Sequence, residues 1–173
     1  QAWNIRKDAV GQLLPNCVAK TVDGELWVKG SSVMQGYYNM PEETAETLED
    51  GWLKTGDLGY VDEDGFVYLT GRKKNLIITK NGENVSPEEL ENALSTNPLV
   101  GEVLVREKGG VIEAEIYPDQ DYVKKKRIKD VREKLQEVID EYNRTAAPQK
   151  KIYSLIVRDT EFEKTTTRKI KRF

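Results

Sequence analysis

The sequence predicts an α+β protein in two parts, and two patterns along the chain indicate this division. Up to about Thr70, short apolar runs alternate with turns rich in glycine and aspartate, which is typical of strands joined by hairpins. After a polar break at residues 71–74, the pattern changes to strand, helix, hairpin, helix and strand. We therefore expect a β-rich part followed by a compact part in which helices flank a small sheet.

The β-rich part contains three predicted elements. Residues 24–29 follow an Asp-Gly turn signal and are expected to form a strand. Pro41 is expected to open a short helix that reaches Leu48, because proline is favoured at the first helical position. Residues 62–65 (Asp-Glu-Asp-Gly) predict a hairpin turn between two strands. A calcium-binding EF-hand loop is excluded here, since its further ligand positions and closing glutamate are missing.

The second part begins with a short predicted strand at residues 76–78. The pair Ser86-Pro87 then marks a helix start, with serine as the N-cap, proline at the first helical position and a glutamate at the third. The pair Asn97-Pro98 is expected to end this helix. Its apolar face is predicted to contain Leu90, Ala93 and Leu94.

A hairpin and a long helix complete the predicted second part. Residues 100–105 and 111–117 are expected to be strands joined near a Gly-Gly pair. The longest helix is predicted from Lys124 to about Tyr142, where apolar residues recur at three- and four-residue spacing and most simply indicate core packing. Its first residues are basic, which is unfavourable for the helix dipole. A last strand at 152–157 and a basic, threonine-rich tail follow.

The composition excludes several classes of function. The chain has 173 residues, 27 Lys and Arg against 30 Asp and Glu, and a net charge of −3, which favours neither nucleic acid nor a membrane as partner. It has no histidine, so Ser-His-Asp and Cys-His catalysis are excluded within it, as are histidine-ligated metals. Its single cysteine, Cys17, is expected to be a packing residue in a reducing, cytoplasmic setting. No apolar run approaches the roughly 20 residues of a membrane-spanning helix.

Three stretches carry residues that could do chemistry. Asp57 ends the run 52–57 and could accept hydrogen bonds from two ribose hydroxyls, although an aspartate there is more often a turn former. Arg72 could donate hydrogen bonds to phosphate or ribose oxygens, and Gly82 would let the backbone approach a ligand. The simpler interpretation of the same residues is a basic linker followed by a turn. A lysine in the stretch 165–172 could stabilise negative charge that develops in a reaction. The alternative interpretation of this stretch is a disordered basic tail.

Taken in order, several stretches together resemble the adenylate-forming superfamily, which includes acyl-CoA synthetases, luciferases and peptide-synthetase adenylation domains. The resemblance spans nearly the whole chain, and the form of the last stretch is most similar to long-chain fatty acyl-CoA synthetases. Where the superfamily usually has Ser-Gly before its final lysine, this chain has Thr167-Arg168. The stretches that carry the resemblance are 24–30 (GELWVKG), 36–38 (GYY), 52–57 (WLKTGD), 64–65 (DG), 71–72 (GR), 82–91 (GENVSPEELE) and 165–172 (TTTRKIKR).

The resemblance implies a role for individual residues. Asp57 and Arg72 match the residues that bind the ribose of ATP and AMP, and Lys74 falls at the hinge on which the small C-terminal domain pivots. Gly82 and Glu83 lie in the loop that lines the tunnel for the pantetheine arm of CoA. Lys169 matches the lysine that enters the active site during adenylation. ATP or AMP and CoA are thus the implied cofactors; no metal ligand is expected here, since the Mg²⁺ ligand of the family lies upstream.

The resemblance also implies how the chain is organised. Residues 1–71 are expected to be the end of a large adenylation domain, including part of its β-barrel, 72–74 the hinge, and 75–173 a mobile C-terminal α+β domain. A Ser/Thr/Gly-rich phosphate loop is not found, so we expect a fragment that is inactive alone. The intact enzyme would use ATP, a fatty acid and CoA, without nucleic acid, in the cytoplasm and with peripheral membrane contact as a further expectation.

Two alternatives remain open on the sequence. One is an aryl or amino acid adenylating relative that loads a carrier protein instead of CoA. The other is a non-catalytic module that binds a partner or a nucleotide. The oligomeric state is not fixed by the sequence, although exposed apolar surface on the first part could pair with another chain.

Overall fold

The computed structural model describes residues 6–172, so residues 1–5 and 173 at the ends of the predicted domain ranges lie outside the described part. The chain divides into two compact units between Asn75 and Leu76. The predicted hinge at 72–74 lies directly before this division, and its movement stays a prediction. The predicted α+β class is confirmed, since the first unit is mainly sheet and the second combines helices with a small sheet.

The first unit is built on one antiparallel sheet. Its described strands run in the spatial order β1, β6, β5, β3, β2, with β4 paired to β5 beside this path. A short helix, α1, spans Pro41–Thr47, one residue shorter than expected, and a 3₁₀ turn at Lys73–Asn75 ends the unit. The strands are β1 (Gly11–Gln12), β2 (Cys17–Val22), β3 (Glu25–Gly30), β4 (Leu48–Glu49), β5 (Trp52–Val61) and β6 (Phe66–Arg72).

The predicted acidic hairpin joins β5 to β6 and is confirmed. The carboxylate of Asp62 accepts hydrogen bonds from the N–H groups of Asp64 (3.0 Å) and Phe66 (2.9 Å), so the aspartate shapes the turn through its side chain. Gly65 has φ +80°, which an L-residue rarely adopts. The aromatic ring of Phe66 is 2% exposed and anchors the hairpin to the sheet.

The second unit contains a three-stranded sheet covered by helices. Strands β9 (Val100–Lys108) and β10 (Val111–Pro118) form the expected hairpin, and β11 (Ile152–Val157) pairs parallel to β10. The two short strands β7 (Ile77–Ile78) and β8 (Asn84–Val85) form a separate antiparallel pair. The helices are α2 (Pro87–Leu94), α3 (Gln120–Lys126) and α4 (Val131–Thr145), with a 3₁₀ turn at Pro148–Lys150.

The core of this unit lies between the sheet and the helices. Alternate residues of β10 are buried there, because a strand places every second side chain on one face. Leu90 and Leu94 of α2 are 0% and 1% exposed, whereas Ala93 lies on the exposed side of that helix, so the predicted apolar face was wrong at this position. The other core residues include Ile112, Ala114, Ile116, Leu135 and Ile139.

The start of α2 agrees with the sequence in position but not in hydrogen bonding. Ser86 occupies the N-cap position and Pro87 the first helical position, as expected. The Ser86 hydroxyl donates to the carboxylate of Glu88 at 3.0 Å rather than capping the helix. Proline lacks an N–H in any case, so this helix start needs one acceptor fewer than most.

The predicted long helix from Lys124 was wrong. The chain forms two helices there, because Arg127 adopts a left-handed conformation (φ +53°) that ends α3. Asp130 then starts α4, and its carboxylate accepts the N–H of Glu133 at 2.8 Å. The basic run therefore lies in the last turn of α3, where cations stabilise a helix end, and not at the start of the longer helix.

We expect Asp130→Ala to destabilise the second unit by about 1 kcal/mol, the usual cost of losing an N-cap acceptor. Urea unfolding followed by circular dichroism at the helix band measures this, since all described helices except α1 lie in this unit. Asp130→Asn keeps a capping oxygen and should retain most of the stability. Equal losses in the two variants would contradict the capping role.

Among the described residues, no helix is long and apolar enough to cross a membrane.

Candidate functional site

The predicted nucleotide-binding aspartate lies in an irregular part of β5. Gly56 has φ +72°, and β5 shifts register against β3 between residues 54 and 58 and against β6 between residues 58 and 59. The hydroxyl of Thr55 donates to the carbonyl of Leu26 (2.6 Å) and accepts the N–H of Asp57 (3.0 Å). These bonds fix the backbone directly before Asp57, which gives the threonine at this position a structural role.

Asp57 and Arg72 face each other across β5 and β6. Their Cα atoms are direct partners in the antiparallel register, and Arg72 Nε lies 2.8 Å from Asp57 Oδ1. The side chains are 26% and 48% exposed. A guanidinium has five N–H donors and a carboxylate about four acceptor positions, so this pair retains hydrogen-bonding capacity towards solvent. The structure thus brings together two residues that lie 15 positions apart.

A buried carboxylate beneath this pair was not found from the sequence. Glu25 is 4% exposed, accepts the Gly56 N–H at 2.9 Å and forms an ion pair with Lys73 Nζ at 2.8 Å. Burial opposes its charged form, but the hydrogen bonds from Lys73 and Gly56 outweigh it and hold the pKa of Glu25 below its usual range. A glutamate beside a turn is typical of an exposed position, so the sequence contained no signal for this role.

The residue at the predicted hinge, Lys74, lies in the 3₁₀ turn at the end of the first unit and is exposed. It neighbours Lys73, whose pKa is raised by its hydrogen bond and ion pair with Glu25. The ion pair therefore holds the turn directly before the division between the units.

The predicted CoA-tunnel loop is the connection between β7 and β8. The N–H groups of Gly82 and Thr79 donate to the carbonyls of Thr79 and Glu83, each at 2.9 Å, and close a tight turn. Gly82 has φ +78°, while a Cβ there would meet no atom of the described residues within 4 Å. The backbone conformation, not lack of space, therefore favours glycine. Gly82 and Glu83 are exposed.

An open cleft of about 440 Å³ lies beside this loop within the second unit. Its lining combines apolar and basic side chains, including those of Ile78, Lys80, Lys151 and Tyr153. Ile78 and Tyr153 are 69% and 68% exposed.

Lys169 is exposed and lies on the returning arm of a hydrogen-bonded loop, next to the pair Lys164–Ile170 that closes it, so the alternative of a disordered tail is wrong. The N–H of Thr165 donates to the Lys169 carbonyl at 2.8 Å, and the N–H of Lys169 donates to the Thr165 hydroxyl at 3.2 Å. A third hydrogen bond joins the hydroxyl groups of Thr165 and Thr167, whose oxygens are 2.9 Å apart. The threonines thus explain the composition of this stretch, since they close the turn.

Arg168 has φ +61°, the left-handed conformation that favours glycine. We expect Arg168→Gly to order the loop further, with exchange of the Thr165 amide hydrogen about threefold slower, because the strain of a side chain in this conformation is removed. Hydrogen exchange measured by NMR tests this on the chain itself. Thr166→Gly places glycine where φ is not left-handed and should speed exchange; slower exchange in both variants would contradict the explanation.

The comparisons with known proteins show the family to which the chain belongs. A family model described as AMP-binding enzyme C-terminal domain matches residues 74–173. The chain belongs to this family. The AMP-binding C-terminal domain is the C-terminal portion of adenylate-forming enzymes, and the homologues of this chain are CoA ligases.

Two relatives illustrate the range of the family, one of them in two solved structures. The long-chain-fatty-acid–CoA ligase FadD15 of Mycobacterium tuberculosis is 46% identical over 103 residues, which is 59% of this chain but 17% of that ligase. The o-succinylbenzoate CoA synthetase of Bacillus subtilis, in complex with its acyl-adenylate intermediate, matches with a TM-score of 0.76 and 31% identity over 94% of this chain and 34% of the synthetase. The same synthetase in complex with ATP and magnesium ion matches with a TM-score of 0.74 and 31% identity, over 95% of this chain and 35% of the synthetase. The chain thus spans between 17% and 35% of the length of these relatives.

The AMP-binding C-terminal domain thus contains Gly82, Glu83 and Lys169, whereas Asp57 and Arg72 precede the matched residues. The roles of all five stay predictions. Within residues 6–172, no three or more carboxylate or cysteine side chains lie together in a way that could hold a metal ion. That the magnesium ligand lies outside this chain therefore also stays a prediction.

Proposed function

We propose that this chain is the C-terminal part of an ATP-dependent ligase that joins a fatty acid to CoA through an acyl-adenylate. The observation that carries the proposal is the Asp57–Arg72 pair at 2.8 Å on adjacent strands, in a chain whose family consists of AMP-binding enzymes. The 46% identity to a long-chain-fatty-acid–CoA ligase supports the acid class. The chain would act only together with a phosphate-binding region outside it.

In the proposed site, Asp57 and Arg72 bind the ribose of ATP. The carboxylate accepts hydrogen bonds from the two ribose hydroxyls, and the guanidinium donates to ribose oxygens. Because the two side chains already form an ion pair, neither has to be ordered at the moment of binding, which lowers the entropic cost.

The first reaction is attack of the fatty acid carboxylate on the α-phosphorus of ATP, which breaks the bond to pyrophosphate. Two anions approach each other, and negative charge increases on the phosphate oxygens in the transition state. The ammonium of Lys169 would lie against these oxygens and stabilise that charge. Its exposed side chain on a loop suits a group that has to reach into a site formed by another part of the enzyme.

The second reaction is attack of the CoA thiolate on the acyl carbonyl carbon, with AMP as the leaving group. We propose that the second unit pivots near Lys74 between the two reactions, so that Lys169 withdraws and the loop with Gly82 and Glu83 lines the path of the pantetheine arm. The exposed, tight turn at Gly82 supports this, because it presents backbone without a side chain.

A second candidate substrate is an aromatic acid such as 2-succinylbenzoate. The structural match at a TM-score of 0.76 to a synthetase for that acid favours it. The acyl pocket lies outside this chain in the proposed arrangement, so both acids remain candidates for the same chemistry.

The test uses the full-length protein that contains this chain and a panel of fatty, aromatic and amino acids. Exchange of labelled pyrophosphate into ATP measures the first reaction, and thioester formation with CoA measures the second. We expect exchange with fatty acids and transfer to CoA. Exchange with 2-succinylbenzoate alone would support the second candidate, transfer only to a carrier protein would indicate a carrier-loading enzyme, and no exchange with any acid would contradict the proposal.

A further inference from the structure

The loop that carries Lys169 is a small hairpin closed by its own backbone. Lys164 and Ile170 form an antiparallel bridge, and the N–H of Lys171 donates to the carbonyl of Glu163 at 2.9 Å. We refer to residues 163–171 as the lysine hairpin. Its tip is polar and exposed, so few apolar contacts hold it in place. Its position within the second unit therefore depends on how its two ends are fixed.

The first end is fixed to β9 by Glu102. The N–H of Phe162 donates to Glu102 Oε2 at 2.9 Å, and the ammonium of Lys164 pairs with Glu102 Oε1. The ring of Phe162 is itself 7% exposed. The hydrogen bonds of Lys164 with Glu102 and with Glu161 raise the pKa of the lysine. Because the Glu102 side chain is only 15% exposed, solvent weakens this ion pair less than a surface pair.

The second end is fixed to α2 by Glu91. The guanidinium of Arg172 binds both carboxylate oxygens of Glu91, at 3.0 and 2.5 Å, and also lies 3.3 Å from Glu88. Glu91 is 14% exposed, and its Oε1 also accepts the N–H of Val105 at 2.7 Å. Burial raises the pKa of Glu91. The hydrogen bonds from Val105 and Arg172 lower it, but burial has the larger effect. A bidentate pair of this kind fixes direction as well as distance.

We propose that Glu91 and Glu102 are positioning residues for adenylation, which clamp the two ends of the lysine hairpin and thereby fix where the Lys169 ammonium can reach. The inference rests on the role proposed above for Lys169. The two carboxylates act through the hairpin, on opposite ends of it and from two different elements of the second unit. An error of about 1 Å in the place of a catalytic group can cost roughly 100-fold in rate, so a clamp on both ends has a kinetic consequence.

The first test measures order in the chain itself. Glu91→Gln keeps the size of the side chain and an acceptor for Val105 but removes the charge that holds Arg172. We expect hydrogen exchange of the Thr165 amide to become about tenfold faster, the effect of losing one charge-assisted bond. Glu102→Gln is the second variant, with the same expectation. Lys150→Gln is the matched control, because it breaks an ion pair with Glu89 of the same helix α2 and does not touch the hairpin.

The second test uses the full-length protein and separates the two reactions. In Glu91→Gln and Glu102→Gln we expect pyrophosphate exchange to fall about tenfold, while thioester formation from supplied acyl-adenylate stays within about twofold of wild type. A merely structural role would lower both reactions together. The control Lys150→Gln should leave both unchanged.

The outcomes distinguish a failure of the clamp by Glu91 and Glu102 from a failure of the proposed role of Lys169. Equal losses in both reactions, or unchanged amide exchange in both variants, would overturn the clamp. If the clamp variants lose order but Lys169→Ala itself leaves pyrophosphate exchange unchanged, the proposed role of Lys169 fails, and the positioning role falls with it. Selective loss of adenylation in Lys169→Ala without such a loss in the clamp variants would overturn the clamp alone.

Discussion

Replacement of Lys169 with alanine is expected to slow pyrophosphate exchange roughly 100- to 1,000-fold in the full-length protein, the range seen when one preorganised donor to a transition state is removed. The physical reason is that the ammonium stabilises charge that grows only as the α-phosphorus is attacked. The loss should therefore appear in kcat, with the KM for ATP changed little. Thioester formation from supplied acyl-adenylate should be nearly unaffected, because pyrophosphate has already left.

Lys125→Ala is a suitable control for this measurement. Lys125 is another exposed lysine of the second unit, but it lies in α3 and outside the lysine hairpin. Its removal should leave both reactions at wild-type rates. Similar losses in the two variants would indicate a general effect of charge, and an active Lys169→Ala enzyme would refute the catalytic role.

Leu135→Ala is expected to destabilise the second unit by about 3–5 kcal/mol, near the upper part of the range for buried leucines. Leu135 is 0% exposed and lies in the single described core that combines α2, α4 and the three-stranded sheet. Truncation would remove contacts to helix and sheet at once and leave a cavity, since a packed core relaxes only in part. Since small domains are stable by only about 5–15 kcal/mol, much of the unit's stability would be lost.

Urea unfolding followed at the helix band measures this effect as well. Gln136→Ala is the matched control on the next residue of α4, where an exposed hydrogen bond to Asp140 is lost (2.9 Å). Its effect should stay within about 0.5 kcal/mol. Comparable destabilisation by the two variants would contradict the assignment of Leu135 to the core.

The sequence predicted those parts of the fold that depend on local signals. The turn at 62–65 follows from an aspartate side chain that bonds the nearby backbone, and the start of α2 follows from a proline at the first helical position; both positions are confirmed. The break between α3 and α4 was missed because apolar spacing continues across it, while the left-handed Arg127 gives no signal in its residue type. Asp130 with a glutamate three positions later was the signal that could have located the second start.

Strands β1, β2, β4 and β8 were also missed. Three of them are only two residues long, and they exist because a neighbouring strand offers backbone partners. Strand β2 contains Lys20 and Thr21 among its apolar residues and is paired along its whole length to β3. Pairing between strands is a tertiary effect, so a short strand has little signal of its own.

In the candidate site too, some residues could be selected from the sequence and others depend on contacts that only the folded structure shows. Asp57, Arg72, Gly82, Glu83, Lys74 and Lys169 were selected from the sequence by resemblance, and the structure gives each a defined local geometry. The ion-paired glutamates were not selected in this way. Glu25 and Glu91 lie in stretches that carry the resemblance and Glu102 lies in a strand, but the contacts of all three depend on partners that lie 14 to 81 positions away along the chain.

The most direct test of the account is a comparison of ATP with 2′-deoxyATP as ligands of the full-length protein, for wild type and Asp57→Ala. Titration calorimetry gives the four dissociation constants. We expect wild type to prefer ATP by roughly 10- to 100-fold, the effect of one hydrogen bond to a charged group, and the variant to lose most of this preference, with Arg72 accounting for any remainder. A preference for ATP that survives undiminished in Asp57→Ala would contradict the assignment of Asp57 to the ribose, and with it the central claim that this chain forms part of an adenylation site.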